Sequence, residues 1–320
     1  MRWKRRRLLW RAFRSRHQLR SVCNRTSDID NQAILVFATM RNEHERVERF
    51  FDHYRRLGVS HFLIVDNGSD DGTFEFLESQ PDVSLWQTNS SYRSARFGVD
   101  WLNWLLRRYG HGLWCVTVDA DELLDYVGSS EMPLPALARS LEQREQAAFG
   151  ALMLETYPKE AIGEGSGAPT WFDPGPYRST RQYPLGNLWV QGGVRERVFF
   201  AGYPERSPTL NKLPFIKWNK RYCYVNSTHS ILPPSLNFDY DGPGDQRPNG
   251  VLIHTKFEPS IVSKSETERA RAEHFTTPEK FTDYYDKIAE QPVLWDENSV
   301  RYEGPEQLAK LGLIGLISKP

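Results

Sequence analysis

Three carboxylates follow a short apolar run near the middle of the chain. The run is residues 113–118 (LWCVTV), and Asp119, Asp121 and Glu122 come directly after it. A run of this length, rich in β-branched residues, predicts a strand that is buried on both faces of a sheet. Carboxylates crowded at the end of such a strand repel one another, and a hard cation such as Mg²⁺ or Mn²⁺ would relieve the repulsion. Asp119 and Asp121 are therefore candidate metal ligands, with a solvated acidic turn as the alternative.

Strands and helices alternate around this run and would position the carboxylates. Apolar runs predict strands at 33–40, 61–65, 83–87, 113–118, 149–154 and 251–253. Helical spacing predicts helices between Asn42 and Gly58 and over 73–79, 92–109 and 136–148. Alternation in this order implies right-handed crossovers and a parallel sheet. We therefore expect one large α/β domain in which the ends of parallel strands meet at one edge.

The 320 residues divide into three regions by composition. Residues 1–30 are expected to form a basic N-terminal tail. Residues 31–260 are expected to form the α/β domain, in which the Pro-, Gly- and aromatic-rich stretch 158–190 predicts a functional or disordered loop. Residues 261–320 become charged and helical in pattern, so we expect a helical C-terminal extension.

The first 20 residues carry a strong excess of positive charge. They contain nine Lys and Arg residues and no acidic residue, with Trp3 and Trp10 among them. This composition predicts a segment that lies on an anionic membrane surface, with a disordered or loosely helical basic tail as the alternative. Peripheral contact with an anionic membrane is therefore one expectation for this chain.

Whole-chain composition argues against several classes of function. The formal net charge is zero, so the overall charge predicts no nucleic-acid partner. Three widely spaced cysteines without a C-x-x-C pair argue against a disulfide scaffold or a zinc site and fit a reducing compartment. No apolar stretch reaches the length of a transmembrane helix, and the N-terminus is too charged for a secretory signal. We therefore expect a cytoplasmic protein, with a peripheral position at the inner face of the membrane as an option.

Three motifs at the ends of predicted strands resemble one known family. They are AILVFATMRNE at 33–43, VDNGSDDGT at 65–73 and VDADE at 118–122, in that order. Together they resemble glycosyltransferase family 2-like enzymes with the GT-A fold, in particular the bacterial branch with an R-N-E opening. The resemblance is firm over residues 33–125 and looser through 192–256. It implies a Rossmann-like mixed sheet that is mostly parallel and flanked by helices.

The resemblance also implies a reaction. Family members transfer a sugar from a nucleotide-sugar donor with inversion at the anomeric carbon, and a UDP-sugar is the favoured donor here. The acceptor would be a glycan or a lipid-linked molecule. The D-x-D motif of the family holds the donor diphosphate through Mn²⁺ (or Mg²⁺), which assigns Asp119 and Asp121 to the metal. The cation would stabilise the charge that develops on the leaving nucleoside diphosphate.

The resemblance assigns donor contacts to the first two strand ends. Asp66, with Asn67 beside it, would hold the base or the ribose. The alternative is a tight turn in which Asp66 only caps its own backbone. Arg41 and Glu43 would line the donor pocket, with ordinary first-turn helix charges as the alternative.

Four later residues complete the predicted donor and metal site. Arg93, Arg96 and Lys256 are candidate phosphate contacts, because guanidinium and ammonium groups pair with phosphate oxygens. A solvated helix face or strand end is the alternative for each of them. His254 resembles the late histidine that GT-A enzymes recruit to the metal, where imidazole would favour Mn²⁺ over Mg²⁺. A hydrogen-bonded core histidine is the alternative.

Inverting transfer needs a base that takes the proton of the acceptor hydroxyl. In the resembling family a carboxylate after a Gly-Gly turn often serves, and Glu196 follows such a turn at 192–193. The arginines on either side of Glu196 would lower its pKa, which would instead make it a salt-bridge residue. Glu155, at a predicted strand end, is the second candidate.

Three other classes fit parts of the same pattern. A nucleotidyltransferase on a related fold would need a Gly-rich basic loop after the first strand, where residues 39–43 (TMRNE) contain no glycine. A glycoside hydrolase needs two carboxylates that flank a bond, but no nucleotide or metal. A non-catalytic carbohydrate-binding protein on the same fold would bind glycan without donor turnover. The sequence favours the glycosyltransferase over these alternatives.

Overall fold

A nine-stranded mixed β-sheet runs through the protein, with helices on both faces. The computed structural model describes residues 1–164, 167–182, 186–271 and 282–317. The helices of this part are α1 (Arg2–Ser15), α2 (His44–Arg56), α3 (Thr73–Ser79), α4 (Val99–Tyr109), α5 (Leu134–Gln143), α6 (Ile261–Arg271), α7 (Thr282–Ala289) and α8 (Pro305–Lys310). The strands are β1 (Arg20–Cys23), β2 (Ile34–Met40), β3 (His61–Asp66), β4 (Val83–Gln87), β5 (Trp114–Thr117), β6 (Glu122–Asp125), β7 (Ala148–Glu155), β8 (Trp171–Phe172), β9 (Arg178–Gln182), β10 (Asn187–Gln191), β11 (Asn211–Lys217), β12 (Cys223–Tyr224), β13 (Ile231–Leu232), β14 (Gly250–His254) and β15 (Val300–Arg301).

Most strands of the large sheet run in the same direction. The strand order is β1-β4-β3-β2-β5-β11-β7-β14-β6. Strands β2, β3, β4, β5, β7 and β14 share one direction. Strands β1, β6 and β11 run against them. The predicted α/β class, a mixed and mostly parallel sheet flanked by helices, is therefore confirmed.

The apolar runs form strands because both faces of the sheet are covered. In β2, Leu35 and Phe37 pack in one cluster with α4, whereas Val36 and Ala38 pack in another with α2, α3 and α5. Successive side chains of a strand point to opposite faces, so a strand covered on both sides needs apolar residues at every position. This arrangement fixes the strand ends, and with them the polar residues that follow.

Helix α4 begins seven residues later than the predicted range 92–109. Arg96, Phe97 and Gly98 have φ values of 53°, 59° and 74°, which a right-handed helix cannot contain. A Cβ on Gly98 would lie 2.7 Å from the hydroxyl of Thr39, so this segment packs closely on the end of β2. Residues 92–98 therefore form a loop beside the end of β2, and the prediction of a helix over these residues was wrong.

Two predictions in the second half of the chain also differ from the structure. The helix predicted over 136–148 is α5, which ends before Glu145, a residue with φ of 56°. The stretch 158–190, predicted to be irregular, contains β8 and most of an antiparallel hairpin made by β9 and β10. Residues 165–166 and 183–185 of that stretch lie outside the described residues.

Residues 1–30 are part of the fold, which corrects the prediction of a tail. Helix α1 packs on α4, where Arg11 donates to Asp100 at 3.1 Å. The indole N–H of Trp101 donates to Gln18 at 2.7 Å. Strand β1 then extends the large sheet beside β4. The basic segment is therefore held in place by tertiary contacts.

The described part of the region after residue 260 is only partly helical, because strand β15 and irregular segments separate or follow its helices. It contains α6, α7 and α8. Residues 272–281 and 318–320 of the predicted helical extension lie outside the described residues. In the part of the chain that the structure describes, no helix is long and apolar enough to cross a membrane.

Candidate active site

Charged side chains from several strands meet at one edge of the large sheet. Strands β2, β5, β7 and β14 are codirectional, so their carboxyl ends lie together. Strands β11 and β6 run the other way, so their first residues lie at this edge as well. The edge therefore brings Asp119 and Glu122 together with Lys212, Glu155 and His254.

Lys212 holds the acidic turn after β5 in place. Its side chain is only 3% exposed, and its ammonium lies 2.7 Å from Glu122 and 3.3 Å from Asp119. Burial raises the pKa of Glu122, although Lys212 opposes that shift. Burial alone would lower the pKa of Lys212, but the two carboxylates raise it. Asp119 keeps 47% of its side chain exposed, so a ligand can reach it from solvent.

His254 bridges two carboxylates from different strands. Its Nε2 lies 3.2 Å from Asp121 and its Nδ1 lies 3.5 Å from Glu155. Burial alone would raise the pKa of Asp121, but His254 and Arg46 outweigh it and hold that pKa well below its usual range. Burial alone would lower the pKa of His254, but the two carboxylates raise it. The arrangement therefore favours a protonated imidazole between two ionised carboxylates.

Glu155 is enclosed by cations. The Nε of Arg195 forms an ion pair with it, and the two side chains are 7% and 2% exposed. Burial alone would raise the pKa of Glu155, but Arg195 and His254 lower it. Arg195 begins a π-helical turn, Arg195–Phe199, just after the Gly-Gly turn at 192–193. The π-helical turn therefore adds Arg195 to the charged cluster at this edge, which contains Asp119, Asp121, Glu122, Glu155, Lys212 and His254.

Arg46 connects the start of α2 to the same cluster. Its buried guanidinium lies 3.3 Å from Glu43, 3.5 Å from Asp121 and 3.1 Å from Glu258. Lys264 of α6 pairs with Glu43 at 2.7 Å. Burial raises the pKa of Glu43, although both cations oppose the shift. Glu43, predicted to line the donor pocket, thus lies beside a direct partner of Asp121.

Asp121 and His254 have the spacing of two neighbouring cation ligands, and Nε2 of His254 would have to lose its proton before it could bind a cation. The Oδ2 of Asp121 and the Nε2 of His254 are 3.2 Å apart, close to the roughly 3 Å between adjacent ligands around an ion with 2.1 Å bonds. Among the described residues, no group of three His, Cys, Asp or Glu side chains is arranged to hold a metal. A cation here would therefore take its other ligands from water or a diphosphate, as Mg²⁺ often does. The spacing of Asp121 and His254 therefore fits two neighbouring positions around a divalent cation.

The turn after β3 uses its polar side chains to hold its own shape. Asp66 is buried, and its carboxylate accepts the backbone N–H groups of Gly68 at 3.0 Å and Ser69 at 3.3 Å. The Asn67 amide donates to two backbone carbonyls after β4 at 3.0 and 3.1 Å. Arg41 donates to the Asn67 carbonyl at 2.8 Å. These three predicted donor contacts lie at the sheet edge, and Asp66 forms the self-capped turn that was its alternative.

The predicted phosphate contacts lie in different places. Arg96 forms a salt bridge with Asp100 at 2.6 Å and donates to a backbone carbonyl beside β12. Arg93 is exposed in the loop before α4. Lys256 is half-buried, and its charge adds to those that lower the pKa of Asp121 against the effect of burial. Of the three, Lys256 is therefore the one that the structure brings into the electrostatic field of the cluster.

Glu196 follows Arg195 in the chain but has its own partners. Arg178 of β9 lies 2.7 Å from its carboxylate, and the hydroxyl of Ser207 donates to it at 3.1 Å. The flanking arginines do not pair with it as expected, because Arg195 pairs with Glu155 and the next arginine pairs with an aspartate after β8. Its side chain is 14% exposed, against 2% for Glu155. Glu196 is therefore the more accessible of the two base candidates.

Four residues central to the cluster were not candidates from sequence, namely Lys212, Arg46, Arg195 and Glu258. Lys212 could have been noticed in the sequence, because it directly precedes the apolar residues of β11 and a lysine is rarely buried in a strand without a charged partner. Arg46 resembles any arginine of an amphipathic helix, and Glu258 lies in a loop without periodicity. Their roles depend on which elements pack together, which their local sequence does not contain.

No family model and no curated protein matches the chain. Similar solved structures include 4-diphosphocytidyl-2C-methyl-D-erythritol synthase, with 19% identity over 43% of this chain and 66% of that one, and a TM-score of 0.25. Another is described as a glucose-1-phosphate thymidylyltransferase from Bacillus anthracis (7% identity, 88% and 94% covered, TM-score 0.30). A third is mannose-1-phosphate geranyltransferase from Thermus thermophilus (12% identity, 89% and 69% covered, TM-score 0.27). At these TM-scores the similarities identify neither the substrate nor the reaction of this chain.

Proposed function

We propose that the protein is a metal-dependent, inverting glycosyltransferase that uses a nucleotide-sugar donor, with a UDP-sugar favoured, and a glycan or lipid-linked acceptor. The observation that carries the proposal is the contact of Asp121 with His254 at the carboxyl edge of the sheet, with Asp119 in the same acidic turn. Ligands of open α/β sheets bind at this edge. The three motifs that resemble family 2-like glycosyltransferases all end there.

Each side chain of the cluster then has a role in holding the donor. Asp121 and His254 would hold Mn²⁺ or Mg²⁺ and through it the donor diphosphate, whereas Asp119 lies on the exposed side and contacts Lys212. The bound cation would supply Lewis-acid stabilisation of the departing nucleoside diphosphate. Lys212 fixes Asp119 at the edge, and Lys256 adds a positive charge next to the cluster.

Glu196 is the proposed base, because Glu155 is enclosed by Arg195 and His254. Glu196→Gln should lower kcat by roughly 100-fold or more without weakening nucleotide binding. Glu155→Gln should instead lower the thermal stability, because two buried cations lose a charged partner. Activity of Glu196→Gln equal to that of the unmodified chain would remove Glu196 from the proposal.

A nucleotidyltransferase is the second candidate. A buried lysine beside acidic metal ligands also suits the attack of a sugar phosphate on a nucleoside triphosphate, and Lys212 provides that pairing. Against it, residues 39–43 contain no glycine, and Arg41 is bound to the Asn67 carbonyl instead of forming an open phosphate loop. Exchange of labelled pyrophosphate with a nucleoside triphosphate would identify this activity, and release of a nucleoside diphosphate from a nucleotide sugar would identify glycosyl transfer.

The first test is thermal stabilisation by UDP, GDP, CMP and dTDP, with and without Mn²⁺. A ligand at about 100 times its Kd should stabilise the folded state by about 2.7 kcal/mol. We expect one nucleotide to act only with Mn²⁺, and Asp121→Asn to abolish the shift. Asp52→Asn, an exposed position on α2, is the matched control and should leave it unchanged. No shift with any nucleotide would contradict both transferase proposals and favour a carbohydrate-binding protein.

A further inference from the structure

Helix α1 divides its surface between the protein and the solvent. Leu8, Ala12 and Ser15 are 8%, 0% and 7% exposed and face the domain. Trp3 and Trp10 are 81% and 60% exposed on the other side. Their spacing of seven residues is about two helical turns, so both indole rings project from one stripe of the helix.

The contacts of α1 show that these indoles are not needed to complete the core. Leu8 packs against Cys223 and Leu232 of the small β12–β13 sheet. Arg11 pairs with Asp100 in the first turn of α4. The helix is therefore docked through one face, and its outer face presents large apolar rings to solvent on a fixed support.

Arginines flank the exposed indoles. Arg6, Arg7 and Arg14 are exposed on either side of the stripe. The sequence of α1, RWKRRRLLWRAFRS, contains seven basic residues and no acidic one. Because the formal net charge of the whole chain is zero, this positive charge is a local property of α1.

We propose that the outer face of α1, made by Trp3, Arg6, Arg7, Trp10 and Arg14, docks the protein on an anionic lipid surface. Indole rings partition into the headgroup region of a bilayer, where one end of the ring is apolar and the other hydrated. Arginine side chains bury their stems along apolar surface and keep the charged group at the lipid phosphates. This inference goes beyond the transfer reaction and does not depend on it.

A nucleic acid is the rival polyanion for a basic face. The outer face is a single convex helix with its aromatic stripe in the middle, which suits a planar lipid surface. A single strand of nucleic acid is usually held in a positively charged groove with stacked bases. The convex shape and the neutral total charge therefore favour the membrane.

The test uses the full chain, because removing residues 1–25 would also remove β1 and uncover α4. Binding to phosphatidylcholine vesicles with and without about 30% phosphatidylglycerol is measured by sedimentation. The charge variant is Arg6→Gln/Arg7→Gln/Arg14→Gln. Its matched control is Arg56→Gln/Arg139→Gln/Arg144→Gln, which removes the same charge from exposed positions on and beside α2 and α5. The apolar variant is Trp3→Ala/Trp10→Ala, read also by quenching with brominated lipid.

We expect binding only with the anionic lipid, a roughly tenfold or larger fall for the charge variant and no more than about a twofold change for its control. The apolar variant should bind several-fold more weakly and lose the quenching. The proposal is overturned if the charge variant and its control bind equally, or if neutral vesicles bind as well as anionic ones. It is also overturned if heparin or DNA binds as tightly as anionic vesicles while the apolar variant keeps full vesicle binding, because the face would then be a general polyanion site.

Discussion

Replacing Lys212 with methionine should destabilise the protein strongly. The Lys212 side chain is 3% exposed, and its ammonium lies 2.7 Å from the carboxylate of Glu122, which is 1% exposed. Methionine keeps most of the apolar stem of lysine, so the substitution removes the charge with little change in volume. Glu122 keeps the hydrogen bond from the Asp119 N–H but loses its buried counter-charge.

The cost follows from burial. Removing one member of a buried ion pair typically costs about 3–5 kcal/mol, because the remaining charge is desolvated without compensation. We expect the lower end, about 3 kcal/mol, because Glu122 retains one backbone donor. The double variant Lys212→Met/Glu122→Gln should be more stable than Lys212→Met alone, because it leaves no buried charge without a partner.

Urea unfolding followed by circular dichroism at neutral pH measures these differences. Lys217→Met is a matched control on the same strand, where Lys217 pairs with Glu142 at 2.8 Å but both side chains are more than 40% exposed. An exposed pair of this kind contributes only about 0–1 kcal/mol. Equal shifts of the midpoint for the two lysine variants would refute the reasoning, because burial would then not determine the cost.

Two further predictions concern pH and packing. His229 donates from Nδ1 to the Asn211 carbonyl at 2.6 Å, and burial lowers its pKa to about 3. The unfolded state therefore takes up a proton at this histidine as the pH falls below about 6.5, whereas the folded state does not. Between pH 7.5 and 5, the free energy of unfolding of the native chain should therefore fall by about 2 kcal/mol more than that of His229→Gln, as measured by urea unfolding. An equal fall for the two proteins would contradict this prediction. Gly150→Ala should cost about 3 kcal/mol or prevent folding, because its Cβ would lie 2.2 Å from that of Tyr240. Gly202→Ala, whose Cβ would have no atom within 4 Å, should change the free energy of unfolding by less than about 0.5 kcal/mol.

Strands β2 to β5 were predictable because each is a continuous apolar run between turn residues, whereas β1 and β6 are not such runs and were not predicted. The runs at 61–65 and 83–87 match β3 and β4 to within one residue. Helix α4 was predicted too long, because apolar spacing does not report the positive φ values of Arg96 and Phe97. Residues 1–30 were predicted as a tail because basic residues dominate their sequence. The three positions of α1 that face the domain, Leu8, Ala12 and Ser15, are too few to give a clear apolar pattern.

The candidate site was only partly predictable. Asp119, Asp121 and His254 are recognisable because each follows or ends an apolar strand. Their counter-charges are not recognisable, because the position of Lys212 depends on the reversed direction of β11. The pairing of Arg195 with Glu155 likewise depends on a tertiary contact between distant segments. Composition and spacing identify the acids, whereas packing determines which cation neutralises each one.

The position of β14 has a consequence for the order in which the site can form. Strand β14 lies between β7 and β6, and among the described strands β6 pairs with β14 alone. During synthesis, Glu122 and Glu155 therefore emerge long before His254 and the strand that completes their surroundings. Contacts between such distant segments form slowly, because a long loop must close before they gain any stability. The part of the sheet around Glu122 and Glu155 should thus be the last to fold. In a ribosome-bound chain that stops before residue 250, these two carboxylates should remain open to solvent.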